Sequence, residues 1–221
     1  MISIIIPTHN CEAVLGETLR RALRQSGEFE LLVVDGGSTD RTCAIAQRFD
    51  QVKLFSVPRG RARQLNEGVR HARGDLLLFL HAGTQLPRGA LERVQGVVKR
   101  GKCGAGGFYQ RFDGNSLGIH LASLVNHVRC RIMHILSDDQ AFFIERRLFE
   151  SVGGFNESGV LGNADLCLRL QGCTRFALLR PAIMAAPEKC RHLRRRGAWR
   201  TFARYVRRVY ATKRRHALAN S

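Results

Sequence analysis

The sequence predicts an α/β fold with a mainly parallel sheet flanked by helices in its first hundred residues and an α+β arrangement after that. Three observations predict it. Short aliphatic runs at Ile2–Ile6, Leu31–Val34, Val52–Val57 and Leu76–Leu80 alternate with helical patterns of roughly 10 to 15 residues, as in βαβ units with right-handed crossovers. The run Leu76-Leu77-Leu78-Phe79-Leu80 is unbroken, which marks a strand buried on both faces. It stops at His81-Ala82-Gly83, with Pro87 beyond, and ligands of open α/β sheets bind in the crevice outside the carboxyl ends of the strands.

Taken in order, Ile2–Ile6 is a β-branched run ended by Pro7-Thr8-His9-Asn10, after which Val14, Leu15, Leu19, Ala22 and Leu23 share one helical face. Leu31–Val34 breaks into Asp35-Gly36-Gly37-Ser38-Thr39-Asp40, where Ser38 or Thr39 can cap the helix carrying Ala44, Ile45 and Phe49. Val52–Val57 leads through Pro58-Arg59-Gly60 into a helix from about Arg61 to Ala72, and the buried strand follows. No G-x-G-x-x-G succeeds the first strand, which argues against a dinucleotide-binding Rossmann domain. Beyond a helix at Leu91–Val98, Gly101–Gly107 is glycine-rich, Phe108–Phe112 alternates as a strand and Leu117–Leu136 reads as a helix. Ala141–Ile144 is a strand, Arg147–Val152 a short helix stopped by Gly153-Gly154, and Ala164–Leu170 a further helix.

A chain of 221 residues with 44% hydrophobic content can bury one core. We expect a domain over 1–188, divided into a nucleotide-binding half (1–100) and an acceptor half (101–188), followed by a basic segment, 189–221. The net charge of +18 is concentrated there: residues 189–221 carry 12 bases and no acid, whereas 1–188 carry 24 bases and all 18 acids. Such a surface attracts phosphates without saying whose. Seven cysteines without a C-x-x-C pair argue against a disulfide framework or a zinc ribbon, and most read as small buried hydrophobes. No apolar run approaches the roughly 18 residues of a membrane span, and no basic leader precedes the first strand, so a cytoplasmic protein is expected.

Several polar constellations fall at strand ends. Asp35 and Asp40 flank a glycine turn, where a carboxylate can accept hydrogen bonds from a base or ribose; a helix cap beside a tight turn explains the same composition. Arg59, Arg61 and Arg63 open a helix and suit a diphosphate, although a solvated basic face would look alike. His120, His127 and His134 recur every seven residues with Cys130 on the same side. Residues so spaced lie two turns, roughly 10 Å, apart, so a packing face is expected rather than a metal site. Among Asp138, Asp139 and Asp165, a carboxylate brought to the crevice can act as a general base, while an acid in a helix's first turn also simply complements the dipole.

The succession Ile4-Ile5-Ile6-Pro7-Thr8-His9-Asn10, Val33-Val34-Asp35-Gly36-Gly37-Ser38-Thr39-Asp40, Gly60-Arg61-Ala62-Arg63-Gln64-Leu65-Asn66 and Gly74-Asp75 through His81-Ala82 closely resembles family-2 glycosyltransferases of the GT-A fold. It looks most like the bacterial subgroup linked to arsenosugar biosynthesis. The resemblance continues through Asp139-Gln140-Ala141-Phe142-Phe143-Ile144, Gly153-Gly154-Phe155 and Asp165-Leu166 to about residue 200. It implies hexosyl transfer by direct displacement from a nucleotide-sugar donor, a UDP-sugar favoured, to an unknown acceptor. Pro7, Thr8 and Asn10 would lie beside the nucleotide, Asp35 on its base, and Arg61 and Arg63 on the phosphates. His81, Ala82 and Gly83 stand where such enzymes carry a D-x-D type metal motif, Asp139 falls near the acceptor, and Asp165 corresponds to the catalytic base.

The pattern is degenerate at costly places. Gly83 replaces the acid that would hold Mg²⁺ or Mn²⁺, leaving His81 as a metal ligand, and hard cations prefer oxygen. Ala164 replaces the first acid of an E-D pair, and Asp138 the glycine of G-D-Q. Either Arg61 and Arg63 assume the metal's electrostatic role, or the chain is a catalytically impaired nucleotide-sugar-binding or membrane-docking protein.

In the basic segment, Trp199, Phe202, Val206, Val209 and Tyr210 recur at three- and four-residue steps among Arg200, Arg204, Arg207, Arg208, Lys213, Arg214 and Arg215. A basic amphipathic helix of this kind suits an anionic membrane surface or a lipid-linked acceptor, peripheral at the inner face of the membrane. Packing of its apolar stripe on the domain and contact with nucleic-acid phosphates are the other readings, the last without any recognisable module behind it.

Overall fold

A computed structural model of the chain describes residues 1–101, 103–111, 130, 134–158 and 162–184. Seven strands, β1 (Ile2–Thr8), β2 (Phe29–Asp35), β3 (Val52–Ser56), β4 (Leu76–Phe79), β5 (Ala105–Arg111), β6 (Phe142–Glu145) and β7 (Phe176–Met184), form one sheet in the order β3-β2-β1-β4-β6-β5-β7. β6 runs antiparallel to both its neighbours, and the other strand pairs are parallel. The helices are α1 (Glu12–Leu23), α2 (Thr42–Ala46), α3 (Arg61–His71), α4 (Ala90–Lys99), α5 (Arg146–Ser151) and α6 (Asn163–Leu170).

Unbroken apolar runs arise because the sheet is covered on both faces. Ile2, Ile4 and Ile6 bury against Leu15 and Leu19 of α1 and Leu91 and Val94 of α4. Ile5, Leu32, Val34, Leu77 and Phe79 bury on the other side with Leu65 and Val69 of α3 and Leu166 and Leu170 of α6. Alternate residues of one strand thus serve two cores.

Strand order reverses between β1 and β4. Their ladder ends at Ile5 opposite Phe79, closed by the Leu80 amide donating to the Ile5 carbonyl at 3.0 Å. Pro7, which has no N–H to give a ladder, lies past that last rung, still opposite Val34 of β2. The carboxyl ends of β1, β2 and β4 therefore open at one crevice.

Several expectations need correction. The glycine-rich stretch is not a loop before the strand: β5 starts at Ala105, and glycine is needed inside it, since a Cβ on Gly106 would lie 2.3 Å from the Ala177 carbonyl oxygen and 2.6 Å from Phe143. His134–Leu136, expected at the end of a long helix, are not helical, and most of that segment lies outside the described residues. Neither Ser38 nor Thr39 caps α2, whose N-cap position is Arg41; Asp40, just before it, accepts from the Thr42 amide at 2.9 Å and from the Glu12 amide of α1 at 3.1 Å. Of the six described cysteines only Cys130 and Cys167 are buried. β7 carries Pro181, a residue that masks its strand signal; it tolerates the proline because it lies at the edge of the sheet, beside β5. The basic segment with Trp199, Arg200, Arg204, Arg207 and Arg208 lies outside the described residues.

Candidate active site

At the end of β2 the Asp35 carboxylate is almost wholly covered, and hydrogen bonds fill it. Oδ1 accepts from the hydroxyls of Thr8 at 3.0 Å and Ser38 at 2.5 Å, and Oδ2 from the amides of Gly37 at 3.0 Å and Ser38 at 2.7 Å. Burial pushes the Asp35 carboxyl up, but the bonds from Ser38, Thr8 and Cys43 outweigh it and hold the group below its ordinary range. Asn10, at φ +50°, closes the same loop: its amide donates to Ser38 Oγ at 2.9 Å and its Oδ1 accepts from the Thr39 amide at 2.9 Å. Gln64 of α3, little noticed in the sequence, donates to the carbonyls of Thr8 at 2.7 Å and Val34 at 2.8 Å, tying α3 to both strand ends.

Over the reversal between β1 and β4 a second cluster forms. Because β6 is antiparallel to β4 with Phe142 opposite Phe79, the residues entering β6 lie beside those leaving β4. Asp138 and Asp139 consequently come close enough to His81 for their charges to act on it, as does that of Arg61 from the first turn of α3. Arg61 Nε lies 3.2 Å from Asp138 Oδ2, and Nη2 donates to the Asp138 carbonyl at 3.4 Å. Asp138 Oδ1 also accepts from the Asn163 amide at the start of α6, at 3.3 Å. His81 Nδ1 is 2.5 Å from the Ala82 carbonyl oxygen. Burial and the neighbouring Arg61 charge lower its pKa against the opposing pull of that carbonyl, Asp139 and Asp138, so the imidazole is neutral at pH 7.

In the second half of the chain, Asp139 is buried and accepts from Gln110 Nε2 at 2.5 Å. Asp165, in the first turn of α6, is buried in an ion pair with Arg169, whose Nε and Nη2 lie 3.0 and 2.9 Å from its Oδ2. Arg169 in turn donates to the carbonyls of Val152 and Gly154. The Gly153-Gly154-Phe155 turn is gripped by Asn66, which exchanges two hydrogen bonds with the backbone of Phe155 at 2.9 and 3.0 Å. Arg63 points to this side and pairs with Glu157 at 3.3 Å. Ala82 is buried in the core, and Pro7 is buried too. Asn163 is fully buried, with both side-chain amide atoms lacking a hydrogen-bond partner among the described residues.

A divalent cation does not fit the residues at the metal position. Thr84 donates its amide to the His81 carbonyl at 2.9 Å, closing a turn whose third residue, Gly83, has φ +91°. That conformation is the glycine position of a type II turn. Gly83 supplies no ligand atom beyond its backbone, and its amide donates to Thr18 Oγ1 at 2.8 Å. Among the described residues no three His, Cys, Asp or Glu side chains converge as metal ligands. Of the expected histidine helix only His134 and Cys130 are described: His134 stacks on Phe176 at 5.9 Å between ring centroids, and Cys130 Sγ contacts Gln140.

A mostly parallel sheet with one antiparallel strand, its order reversing between β1 and β4, is the GT-A architecture. The family model of glycosyl transferase family 2 matches residues 3–161; the chain belongs to that family. It is similar to a PGL/p-HBAD biosynthesis glycosyltransferase of Mycobacterium tuberculosis, 44% identical over 93 residues that cover 39% of this chain and 36% of that protein. It is also similar to the beta-monoglucosyldiacylglycerol synthase of Synechocystis, 27% identical over 192 residues, 76% of this chain and 40% of that protein. The chain thus spans well under half the length of these relatives. Among solved structures, the mannosyltransferase PcManGT of Pyrobaculum calidifontis, in complex with GDP-Man and Mn²⁺, matches with a TM-score of 0.74 at 23% identity, over 97% of this chain and 64% of that one. TarS 1–349 of S. aureus, in complex with UDP-GlcNAc, matches with a TM-score of 0.67 at 20% identity, over 83% and 58%. At those identities the likeness shows the fold.

Proposed function

We propose that this chain transfers a hexosyl group from a nucleotide sugar, a UDP-sugar favoured, to a lipid-linked acceptor. The observation that carries the reading is the convergence of Arg61, His81, Asp138 and Asp139 over the strand-order reversal, beside the loop that Asp35 organises. Asp35 has its acceptor positions filled from within, so it shapes the Gly36–Ser38 turn on which the base lies, with Pro7, Thr8 and Asn10 along the nucleotide. The diphosphate lies towards Arg61 and the backbone of His81, Ala82 and Gly83, with Arg63 at the outer edge of the site.

In the displacement the acceptor oxygen forms a bond to the anomeric carbon as the bond from that carbon to the β-phosphate oxygen breaks. The electron pair leaves on the diphosphate, and the acceptor proton passes to Asp165. Arg169 orients that carboxylate, as a third group orients the base in other nucleophile–base pairs, and Asp139 positions the acceptor. The lipid-linked acceptor is favoured by the diacylglycerol in the Synechocystis relative's name and by the basic amphipathic segment of Trp199, Arg200, Arg204, Arg207 and Arg208, which would hold the protein at the inner face of the membrane. The order of the motifs favours the arsenosugar-linked subgroup within the family.

Incubation with a panel of UDP- and GDP-sugars and a lipid extract tests the reading. Release of nucleoside diphosphate, lost in Asp165→Asn, is expected; no release with any donor in the presence of acceptor would refute it.

A further inference from the structure

We propose that Arg61 is the resident cation of this transferase: its guanidinium neutralises the leaving diphosphate without a divalent metal, and Asp138 is the counter-ion it gives up when the donor binds. The inference rests on the sugar-transfer reading and adds what replaces the metal.

Gly83, where the resemblance expects the acid that would hold a cation, sits at φ +91° in a closed turn and brings no side-chain ligand. The positive charge that reaches the cluster at the end of β4 is Arg61.

Its hydrogen bonding is unfinished. A guanidinium has five N–H donors, yet among the described residues Arg61 makes a single hydrogen bond, at 3.4 Å to the Asp138 carbonyl. Its Nε is buried and, although 3.2 Å from Asp138 Oδ2, has no aligned acceptor. A desolvated donor without an acceptor is costly, and a diphosphate offers several charged oxygens in the fork geometry that guanidinium matches. Asp138 can release the guanidinium because it keeps a second anchor, the Asn163 amide at the N-terminus of α6, where the helix dipole favours a carboxylate. The cluster is therefore a counter-ion pair poised for exchange.

Calorimetric titration of the full chain with UDP, once in EDTA and once in Mn²⁺, tests this. UDP should bind in EDTA, with no more than a twofold gain from Mn²⁺. Arg61→Ala should weaken binding by about 10- to 100-fold, and Arg61→Lys should recover part of that. Asp138→Asn should tighten binding by about 3- to 10-fold, because the resting competitor is gone; an ion pair with a purely structural role would not produce this gain. Melting curves check that each variant is folded. Binding that requires Mn²⁺, unchanged affinity in folded Arg61→Ala, or weaker binding in folded Asp138→Asn overturns the inference and leaves the sugar-transfer reading standing. No binding of UDP in either buffer, nor of GDP titrated in the same way, overturns both.

Discussion

At Asp35 one carboxylate accepts hydrogen bonds from Thr8, Gly37, Ser38 and Cys43, and its burial is tolerable only because of them. Its folded pKa lies below the unfolded one. The stability it contributes is therefore fully present above the unfolded value of about 3.9 and lost as pH falls through the folded value. Asp35→Asn should cost about 2 kcal/mol at pH 6 by urea denaturation, and the gap from the unmodified protein should narrow below about pH 4. Gly83 poses the opposite problem, because restoring an acid there conflicts with the backbone. Gly83→Asp should lower stability by roughly 1 to 3 kcal/mol and yield no metal-dependent turnover; metal-dependent activity in that variant would show that the turn tolerates the acid. The sequence exposes Asp35 as a carboxylate at a glycine turn, but not that Thr8 and Ser38 fill its acceptor sites, since Thr8 lies 27 residues away. The Gly83 substitution is legible, and its reason is not, because a positive φ does not show in a residue's name.

Among the elements, α3 is positioned by partners remote in sequence. Arg146, at the start of α5, donates to the carbonyls of Val69 at 3.2 Å, Ala72 at 2.8 Å and Gly74 at 2.9 Å, gathering the open end of α3 onto β4. Gln64 and Asn66 hold the same helix to β1, β2 and the Phe155 turn. Arg146→Ala should destabilise the protein by about 2 to 4 kcal/mol in denaturant titration and thereby loosen the helix that carries Arg61; a change under about 0.5 kcal/mol would show the clamp to be idle. Periodicity located α1, α3 and α4 well because their apolar faces repeat within one element. It could not find Arg146 or Gln64, whose partners are fixed only when distant strands align. The strand signal failed at β7 for a local reason, Pro181, which an edge strand tolerates and a central one would not.

Across the whole molecule, alternating strands and helices make an α/β sheet legible and the resemblance implies its GT-A form, and the reversal between β1 and β4 places the crevice where an apolar run gives way to His81. The convergence of Arg61 and Asp138, 77 residues apart, depends on β6 pairing antiparallel to β4, which no local pattern encodes. The charge asymmetry belongs to this scale as well. A version lacking residues 189–221, which hold 12 bases and no acid, should lose co-sedimentation with anionic vesicles that the full chain shows at low salt and loses at high salt; equal sedimentation of both would remove the tail from any membrane role. The central claim is that a nucleotide sugar lies across the carboxyl ends of β1, β2 and β4. A crystal structure grown with a saturating UDP-sugar tests it most directly. The account predicts the base against the Gly36–Ser38 turn, the diphosphate on Arg61 and the sugar towards Asp139 and Asp165. A nucleotide bound elsewhere on the molecule, or a crevice still closed by the Arg61–Asp138 pair, would contradict it.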